Sequence, residues 1–454
     1  MATKSAQRGV IALIAVIIAI SCLGNLSQTA LNAMLISVSQ DLGVTTAQGQ
    51  WATTIYMLVL GVAVPVVPFL MRRFALKKVI VSCALLMLVG SLIDWMAPGF
   101  EILVVGRVLQ AISAGITVPM LMSVIMQSFP PERRGGIMGI AGIAMGFSPN
   151  VGPTVGGLFV DLWGWRSFFA ALLVLSVVLS LCSVLLSRGE DEVDPTARLD
   201  FVSLLLSTFG LGGLLLGFSN ASSFGLVHVL VWGPVVLGAG FFGLFLRRQR
   251  RVAHPLIDLR IMDSWRYRAG FWSMNLLWAS FMCVTLITPL FIQNVQGGSA
   301  LDAGFALLVG AAVALVGNPV AGFACDRFGA RPVVCVASVF LVAGAVPMVA
   351  ADVDMPFWLI VVLQGVRQAG VSCLISPMNT WSMGDLPGPM TSDASSFATV
   401  VRQAAASFAT AIAVFFVTSA SGAAGSAALG YQLAFGLSAI CALAVAAINI
   451  AKVR

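Results

Sequence analysis

The feature that most constrains this chain is a succession of long apolar runs that contain almost no charge. A run of about 18 or more apolar residues can cross a lipid bilayer as a helix. Inside the bilayer a spanning segment must satisfy its own backbone hydrogen bonds, which a helix does and an open strand does not. Only 9% of the 454 residues are charged and 59% are hydrophobic, too little charge to cover a water-soluble protein of this length. We therefore expect an all-α membrane protein.

Hydropathy predicts fourteen transmembrane helices, each with boundaries that are uncertain by a few residues. The predicted segments cover residues 10–34, 49–70, 77–96, 100–126, 136–160, 166–187, 200–219, 226–247, 268–293, 301–324, 333–350, 356–383, 396–418 and 430–450.

The basic residues indicate how these helices are oriented. With the N-terminus in the cytoplasm, most of the 25 lysines and arginines fall in cytoplasmic segments, and the outer loops hold only Arg166. Membrane proteins carry such an excess of Lys and Arg in their short cytoplasmic loops. We therefore expect a multi-pass protein of the cell (inner) membrane with both termini in the cytoplasm. The net charge of +7 then reflects topology and not a nucleic-acid partner.

The sequence repeats itself at long range. The segment RRFALK at 72–77 matches DRFGAR at 326–331, and VLQ at 108–110 matches VLQ at 362–364, at one common offset. Two separate matches at one offset indicate duplicated halves, which some membrane transporters place side by side around a site at the bilayer midplane.

The repeat divides the chain into three parts. We expect a six-helix N-terminal half at residues 1–187, an inserted helix pair with a cytoplasmic linker at 188–267, and a six-helix C-terminal half at 268–454.

Five short motifs together are more specific than hydropathy. They are GRVLQ at 106–110, the Gly- and Pro-rich stretch at 148–157, PLIDLR at 255–260, NPVAGFACDRFGAR at 318–331, and the stretch at 395–403. On these motifs the sequence resembles the major facilitator superfamily and, within it, the fourteen-helix drug:proton antiporter family, over nearly the whole chain. The resemblance implies a major facilitator fold of two six-helix bundles plus an inserted pair, and efflux of drug-like solutes in exchange for protons.

The resemblance also implies roles for single residues. The loop motif is expected to latch neighbouring helices, and the Gly-Pro motif is associated with exporters. Together with Asp94 and Arg107, the candidate coupling and gating residues are Pro149, Gly152, Pro153, Asp326, Arg327, Arg331 and Arg402.

The chain departs from the family pattern at two positions. Ser27 stands where the family typically has a membrane acid linked to proton coupling, and Arg72 stands where the first inner loop usually has Asp. The first departure argues against proton coupling through that position.

Independent of the resemblance, polar side chains in the first two helices suggest a binding face. Asn25, Gln28 and Asn32 continue a stripe that starts at Ser21 with helical spacing, and Tyr56 lies in the second helix. Such side chains either face a cavity or join helices by hydrogen bonds. Both readings stay open.

Arginines inside predicted helices are the strongest candidates for a function. Arg107 and Arg367 lie well inside the fourth and twelfth helices, where a charge costs at least about 2.5 kcal/mol unless it is paired, hydrated or functional. Gln110 and Gln368 accompany them. We expect both arginines to flank a central cavity, with Asp94 near the outer edge as a possible structural partner of Arg107.

In the ninth helix, Trp272, Asn275 and Trp278 recur every three residues. A contribution to substrate binding and a packing or interfacial role are both compatible with that spacing.

The membrane interior is thus expected to hold arginines and no central carboxylate, because the acids map to helix ends or loops. This favours an anionic, zwitterionic or amphiphilic solute. The leading prediction is a secondary active exporter of small amphiphilic or drug-like solutes that works by alternating access and ion-gradient coupling. Narrower export of an organic anion or lipid-like molecule, or a non-transporting sensor or scaffold, are the alternatives.

Other function classes have little support in the sequence. The eight cysteines are isolated and there are only two histidines, so we expect no metal site, cofactor or enzyme activity. The expected partners are a small-molecule substrate, the bilayer and protons, with no nucleic acid, and the chain is expected to act as a monomer.

Overall fold

The structure is a computed structural model that describes residues 4–49, 51–142, 148–186, 199–224, 228–252, 255–298, 300–388, 390–423 and 427–453. These residues form helices and connecting turns. In chain order the α-helices are α1 (Lys4–Asp41), α2 (Thr46–Gly49), α3 (Trp51–Ala63), α4 (Val67–Arg73), α5 (Leu76–Met96), α6 (Phe100–Ser128), α7 (Pro131–Gly142), α8 (Ser148–Trp163), α9 (Trp165–Leu186), α10 (Phe201–Phe224), α11 (Val229–Gln249), α12 (Trp265–Asn294), α13 (Ala300–Phe328), α14 (Ala330–Ala345), α15 (Phe357–Met383), α16 (Met390–Ala423) and α17 (Ala427–Lys452).

Within the described chain, thirteen helical spans are long and apolar enough to cross a membrane. One of them joins α3 and α4 through the 3₁₀ turn Val64–Val66. The predicted segment at 136–160 falls on α7 and α8, and residues 143–147 between them lie outside the described residues. The all-helical, multi-pass architecture is confirmed, and a count of fourteen stays a prediction.

The outer surface of the helices is apolar, as a bilayer requires. Leu185, Phe201 and Val229 are exposed by 72%, 70% and 73%. Large exposed apolar patches mark interaction with a membrane or a partner, and here they continue over the outer faces of several helices.

Most of the first nine helices pack on each other: α1 lies on α6, α8 and α9, and α5 lies on α6 and α9. Helix α7 is the exception, because it lies mainly on α13 and α15. Among the last six, α12 lies on α16 and α17, and α15 lies on α13 and α14. The pair α10–α11 joins both groups, because α10 contacts α3 on one side and α16 on the other. The rings of Phe218 and Phe408 lie 5.1 Å apart at the second of these contacts.

Glycines set how closely some helices approach. A Cβ atom on Gly156 of α8 would lie 2.6 Å from the carbonyl oxygen of Ala30 in α1. A Cβ atom on Gly139 of α7 would lie 2.6 Å from the carbonyl oxygen of Asn318 in α13. Small residues permit such contact between helix backbones in membranes. Gly156 therefore brings α8 close to α1 in the first group of helices, and Gly139 brings α7 close to α13 in the last six.

Candidate functional site

Arg107 of α6 is fully buried and lies at the centre of a network of uncharged partners. Its Nη1 donates to Ser27 Oγ at 2.6 Å and to Gln110 Oε1 at 2.9 Å, and its Nη2 donates to the Ser27 carbonyl oxygen at 3.1 Å. The guanidinium also lies 4.2 Å from the ring centroid of Tyr56, a cation–π distance. The residue that replaces the family acid, Ser27, is therefore a direct partner of Arg107.

Gln110 extends this network to α5. It accepts a hydrogen bond from Ser27 Oγ at 2.7 Å and donates from Nε2 to Ser91 Oγ at 3.1 Å. Tyr56 is fixed in turn by a 2.8 Å hydrogen bond from its hydroxyl to the carbonyl oxygen of Gly24. The structure thus brings together Tyr56, Arg107 and Gln110, three of the predicted site residues.

Asp94 lies in the last turn of α5, and its carboxylate is fully enclosed. Neither of its oxygens has a hydrogen-bond partner, and the structure records no ion pair between Asp94 and Arg107. The possible Asp94–Arg107 partnership is therefore not an ion pair in the described residues, and Asp94 lies at a helix end as expected but is enclosed by the protein. The cause is close packing: a Cβ atom on Gly106 would lie 2.7 Å from Asp94 Cγ, so α6 covers the carboxylate.

Arg367 of α15 is also fully buried, but its environment differs from that of Arg107. Its Nε donates to Gln364 Oε1 at 3.2 Å, whereas Nη1 and Nη2 have no hydrogen-bond partner. The neighbouring Gln368 is 1% exposed, and neither atom of its amide group has a partner. The sequence repeat aligns Gln110 with Gln364. Each glutamine accepts a hydrogen bond from an arginine one turn away. In α6 the arginine, Arg107, precedes its glutamine, and in α15 the arginine, Arg367, follows it.

A second polar group of the last six helices surrounds Arg402. Its Nη2 donates to Thr399 Oγ1 at 3.0 Å, and its guanidinium lies 5.1 Å from the ring centroid of Trp278. Asn275 donates to the Phe271 carbonyl oxygen at 2.7 Å and leaves its own amide oxygen without a partner. Arg402 and Asn275 line a cavity of about 10 Å³, room for about one water molecule in this conformation.

Trp272 does not belong to this group, since it is 55% exposed on the outer surface while Trp278 is buried. A three-residue step turns an α-helix by about 300°, so two steps displace the stripe by about 120° and separate its ends. The predicted face is split for that reason.

Of the polar stripe in α1, Asn25 and Gln28 are half-buried, and the side chain of Asn32 lies outside the described residues.

In the Gly-Pro motif, Gly152 packs α8 against Thr29 of α1. Pro149 lies in the first turn of α8, where a missing backbone donor is tolerated, and Pro153 lies inside the helix.

One end of the structure, here called the basic end, carries Arg72, Arg73, Arg133, Arg134 and Arg327. Polar contacts between the two groups of helices close this end. Arg72 Nη2 donates to Asp393 Oδ2 of α16 at 2.5 Å. Asp326 of α13 accepts from the backbone N–H groups of Gly135 and Gly136 in α7 at 2.9 and 2.6 Å. Arg327 and Arg331, predicted with Asp326 as latch residues, are exposed.

Sequence reasoning missed the partnership of Arg72 with Asp393. The repeat offers the signal that could have found it, because Arg72 occupies the position equivalent to Asp326. Each of these residues reaches the first turns of a helix in the other group. The basic side chain therefore meets an acid on α16, and the acidic side chain meets backbone N–H groups of α7.

Comparison with known proteins places the chain among membrane transporters. The sequence profile described as Major Facilitator Superfamily matches residues 16–410. The chain is 32% identical over 392 residues to the MFS-type transporter YhcA of Bacillus subtilis, covering 85% of this chain and 73% of YhcA. It is 29% identical to lincomycin resistance protein LmrB of Listeria monocytogenes, covering 86% and 83%, and 25% identical to multidrug export protein EmrB of Haemophilus influenzae, covering 86% and 77%.

Solved structures agree on the fold. The proton:xylose symporter XylE superposes with a TM-score of 0.68 at 12% identity, covering 99% of this chain and 96% of XylE. The human organic anion transporter MFSD10 superposes with a TM-score of 0.62 at 14% identity, covering 96% and 99%. The resemblance that the motifs indicated is confirmed, and the chain belongs to the Major Facilitator Superfamily, a family of transporters and not of enzymes.

Proposed function

We propose that the chain is a secondary active transporter that exports small amphiphilic or drug-like solutes from the cytoplasm by alternating access. In this proposal the basic end faces the cytoplasm, both termini lie there, and the halves at residues 1–187 and 268–454 move against each other. The insert at 188–267 is the third part of this proposed arrangement. The relatives named for lincomycin resistance and multidrug export support the direction and the solute class.

The observation that carries this proposal is the chemistry of the closed basic end. The closure includes an ion pair between Arg72 and Asp393 and hydrogen bonds from the first turns of α7 to Asp326. Ser395 Oγ adds a 2.9 Å hydrogen bond to the Pro119 carbonyl oxygen. Hydrogen bonds to water can replace contacts of this kind when the halves separate, which lowers the free-energy cost of opening this end.

For the coupling ion we propose the proton, with Asp94 in the role that Ser27 has lost. Asp94 is an acid enclosed by the helices of the first group, and neither oxygen has a hydrogen-bond partner. Arg107, with Ser27, Gln110 and Tyr56 around it, is the charged group of the same region. A carboxyl group without a fixed partner is free to gain and lose a proton as the halves move.

A transport assay in liposomes tests the proposal. Purified protein is reconstituted, and the flux of a fluorescent amphiphile is measured with an imposed proton gradient and again after ionophores have collapsed the proton and sodium gradients. We expect flux that depends on the proton gradient. Flux that persists unchanged after collapse would contradict active transport, and binding without any flux would support a sensor or scaffold.

The coupling acid is tested by Asp94→Asn, with Asp161→Asn as the matched control. Asp161 is an exposed acid of α8, so its substitution removes the same charge outside the enclosed region. We expect Asp94→Asn to lose the dependence on the proton gradient and to keep substrate binding, and the control to transport as the wild type. Gradient-dependent flux in Asp94→Asn would refute the assignment.

A second candidate function, narrower export of an organic anion or lipid-like molecule, is favoured by one specific observation. Arg367 keeps two nitrogen atoms without partners inside the last six helices.

A further inference from the structure

Arg367 is a buried cation that the described protein does not neutralise. Its side chain has no solvent exposure, and the structure gives it no ion pair. Of the guanidinium nitrogens only Nε has a partner, so the four N–H groups on Nη1 and Nη2 lack acceptors. An arginine placed among helices at this depth is expected to be paired, hydrated or functional.

The comparison with Arg107 shows that this is not the general state of arginines in this protein. Both terminal nitrogens of Arg107 donate to Ser27 or Gln110, and its guanidinium lies over Tyr56. Of the Arg107 nitrogens only Nε lacks a partner, so the chain itself binds both ends of the guanidinium fork. Arg367 shows the reverse, with a partner at Nε and none at either terminal nitrogen.

The amide group of Gln368, the residue that follows Arg367, also lacks hydrogen-bond partners. Gln364, which binds Arg367 Nε, lies one turn before Gln368, so both glutamines lie on the same face of α15. Gln368 is 1% exposed, and neither its amide nitrogen nor its amide oxygen has a partner. A buried polar group without a hydrogen bond costs about 1–3 kcal/mol, so a cluster of them indicates a missing ligand.

Helix α15 packs less tightly on the side of this cluster than on the opposite side. A Cβ atom on Gly310 of α13 would lie 3.5 Å from Gln368 Cγ and 4.0 Å from Gln364 Nε2, which are ordinary contact distances. A Cβ atom on Gly344 of α14 would lie 2.6 Å from the Cα atom of Arg367. Beside the cluster, on the side of α13, Gly310 therefore leaves room for a methyl group.

We propose that Arg367, Gln364 and Gln368 form a binding site for the oxyanion group of an amphiphile, such as a carboxylate, sulfonate or phosphate ester. A guanidinium presents two parallel N–H groups that match the two oxygens of such a group, and a Gln amide adds a further donor. The site deepens the proposed export function and rests on it for its place in a transport cycle. Binding itself is measurable without transport.

The test is equilibrium binding to the detergent-solubilised full chain, followed by thermal unfolding. The probes are decanoate, decanol and decyltrimethylammonium, which share a C10 chain and differ in charge, and inorganic sulfate. We expect decanoate alone among the C10 probes to bind saturably. Arg367→Gln should weaken decanoate binding by about tenfold or more, because two charge-assisted hydrogen bonds are lost. The matched control Arg251→Gln removes an exposed arginine and should leave binding unchanged.

Unfolding without ligand distinguishes a binding role of Arg367 from a structural one. Because its charge is buried and unpaired, Arg367→Gln should unfold at the wild-type temperature or above it. A lower unfolding temperature, with decanoate affinity unchanged, would overturn the proposal. Gly310→Leu, which places a bulky side chain against Gln364 and Gln368 and leaves the charge, should also weaken decanoate binding, while the smaller Gly310→Ala should weaken it less.

Two further outcomes would overturn the proposal. Equal binding of decanol and decanoate would show that no anion is recognised. Protection by sulfate, with nothing added by decanoate, would show that the site holds an inorganic anion. The liposome experiment stays separate, because decanoate binding through Arg367 without flux contradicts the proposed function and leaves this site intact.

Discussion

Breaking the contact between Arg72 and Asp393 should open the basic end, and the two single substitutions should differ in size. The Asp393 side chain is 1% exposed, whereas the Arg72 side chain is 38% exposed. Arg72→Gln therefore leaves a buried carboxylate without its cation. Removal of one partner of a fully buried pair costs about 3–5 kcal/mol, and the exposure of Arg72 reduces this to about 2 kcal/mol.

Asp393→Asn instead leaves Arg72 without its carboxylate partner. Because the Arg72 side chain is partly exposed, its guanidinium can then be hydrated. We expect that substitution to cost less than about 1 kcal/mol. At about 1.4 kcal/mol per tenfold change, Arg72→Gln should shift the equilibrium between closed and open basic ends by about thirtyfold, and Asp393→Asn by less than about fivefold. The double variant should resemble Asp393→Asn, because no charge is then left buried.

The assay is the rate of maleimide labelling at Ser396→Cys in a background without the eight native cysteines. Ser396 lies in α16 three residues after Asp393, is fully buried, and its hydroxyl has no partner, so Cys replaces it at little cost. Labelling should be fastest in Arg72→Gln. Equal rates in both single variants, or a slower rate in Arg72→Gln, would refute the asymmetry.

The charge swap Arg72→Asp with Asp393→Arg provides a further check. Asp393 lies in the first turn of α16, where the helix dipole favours a negative charge by about 0.3–1 kcal/mol. The swap restores the ion pair but places a cation at that position, so labelling should fall only part of the way back.

Three other substitutions test contacts elsewhere in the structure. Asp326→Asn should raise labelling at the basic end severalfold, because the amide keeps one acceptor oxygen and sets its NH2 group against the second N–H group of α7; unchanged labelling would contradict this role. Gly106→Ala should lower the unfolding temperature, since its methyl carbon would lie 2.7 Å from the Gly90 carbonyl oxygen, whereas Gly157→Ala meets nothing within 4 Å and should not. Burial of Asp200 opposes its ionisation, but hydrogen bonds from Arg248 and Ser203 outweigh this and lower the pKa of Asp200 to about 2. The interaction of Asp200 with Arg248 should add about 1 kcal/mol to the free energy of unfolding above pH 4, and this contribution should be lost as the pH falls from 4 towards 2. When the free energy of unfolding is measured against pH, Asp200→Asn should not show that loss.

The amino-acid sequence alone was sufficient to predict an all-helical, multi-pass membrane protein of this family. Each spanning helix corresponds to a local stretch of about 20 apolar residues, and the family motifs are short local stretches as well. The repeat at 72–77 and 326–331 pointed to equivalent loops, and the structure finds latch contacts at both. Arg107 and Arg367 were identified as functional candidates because a charge within an apolar run is costly unless it is paired, hydrated or functional.

The partners of these charges were decided only by the tertiary structure. Arg107 contacts Ser27, 80 residues away in the chain, and Arg72 contacts Asp393, 321 residues away. Such pairs depend on helix rotation and on how closely glycines such as Gly106 let backbones approach, which hydropathy does not encode. The unsatisfied state of Arg367 also required the full set of neighbours, because a missing hydrogen bond is a property of everything packed around an atom. The sequence therefore determined which stretches can span a membrane, and the packing decided that both terminal nitrogens of Arg107 have partners in the chain while those of Arg367 have none.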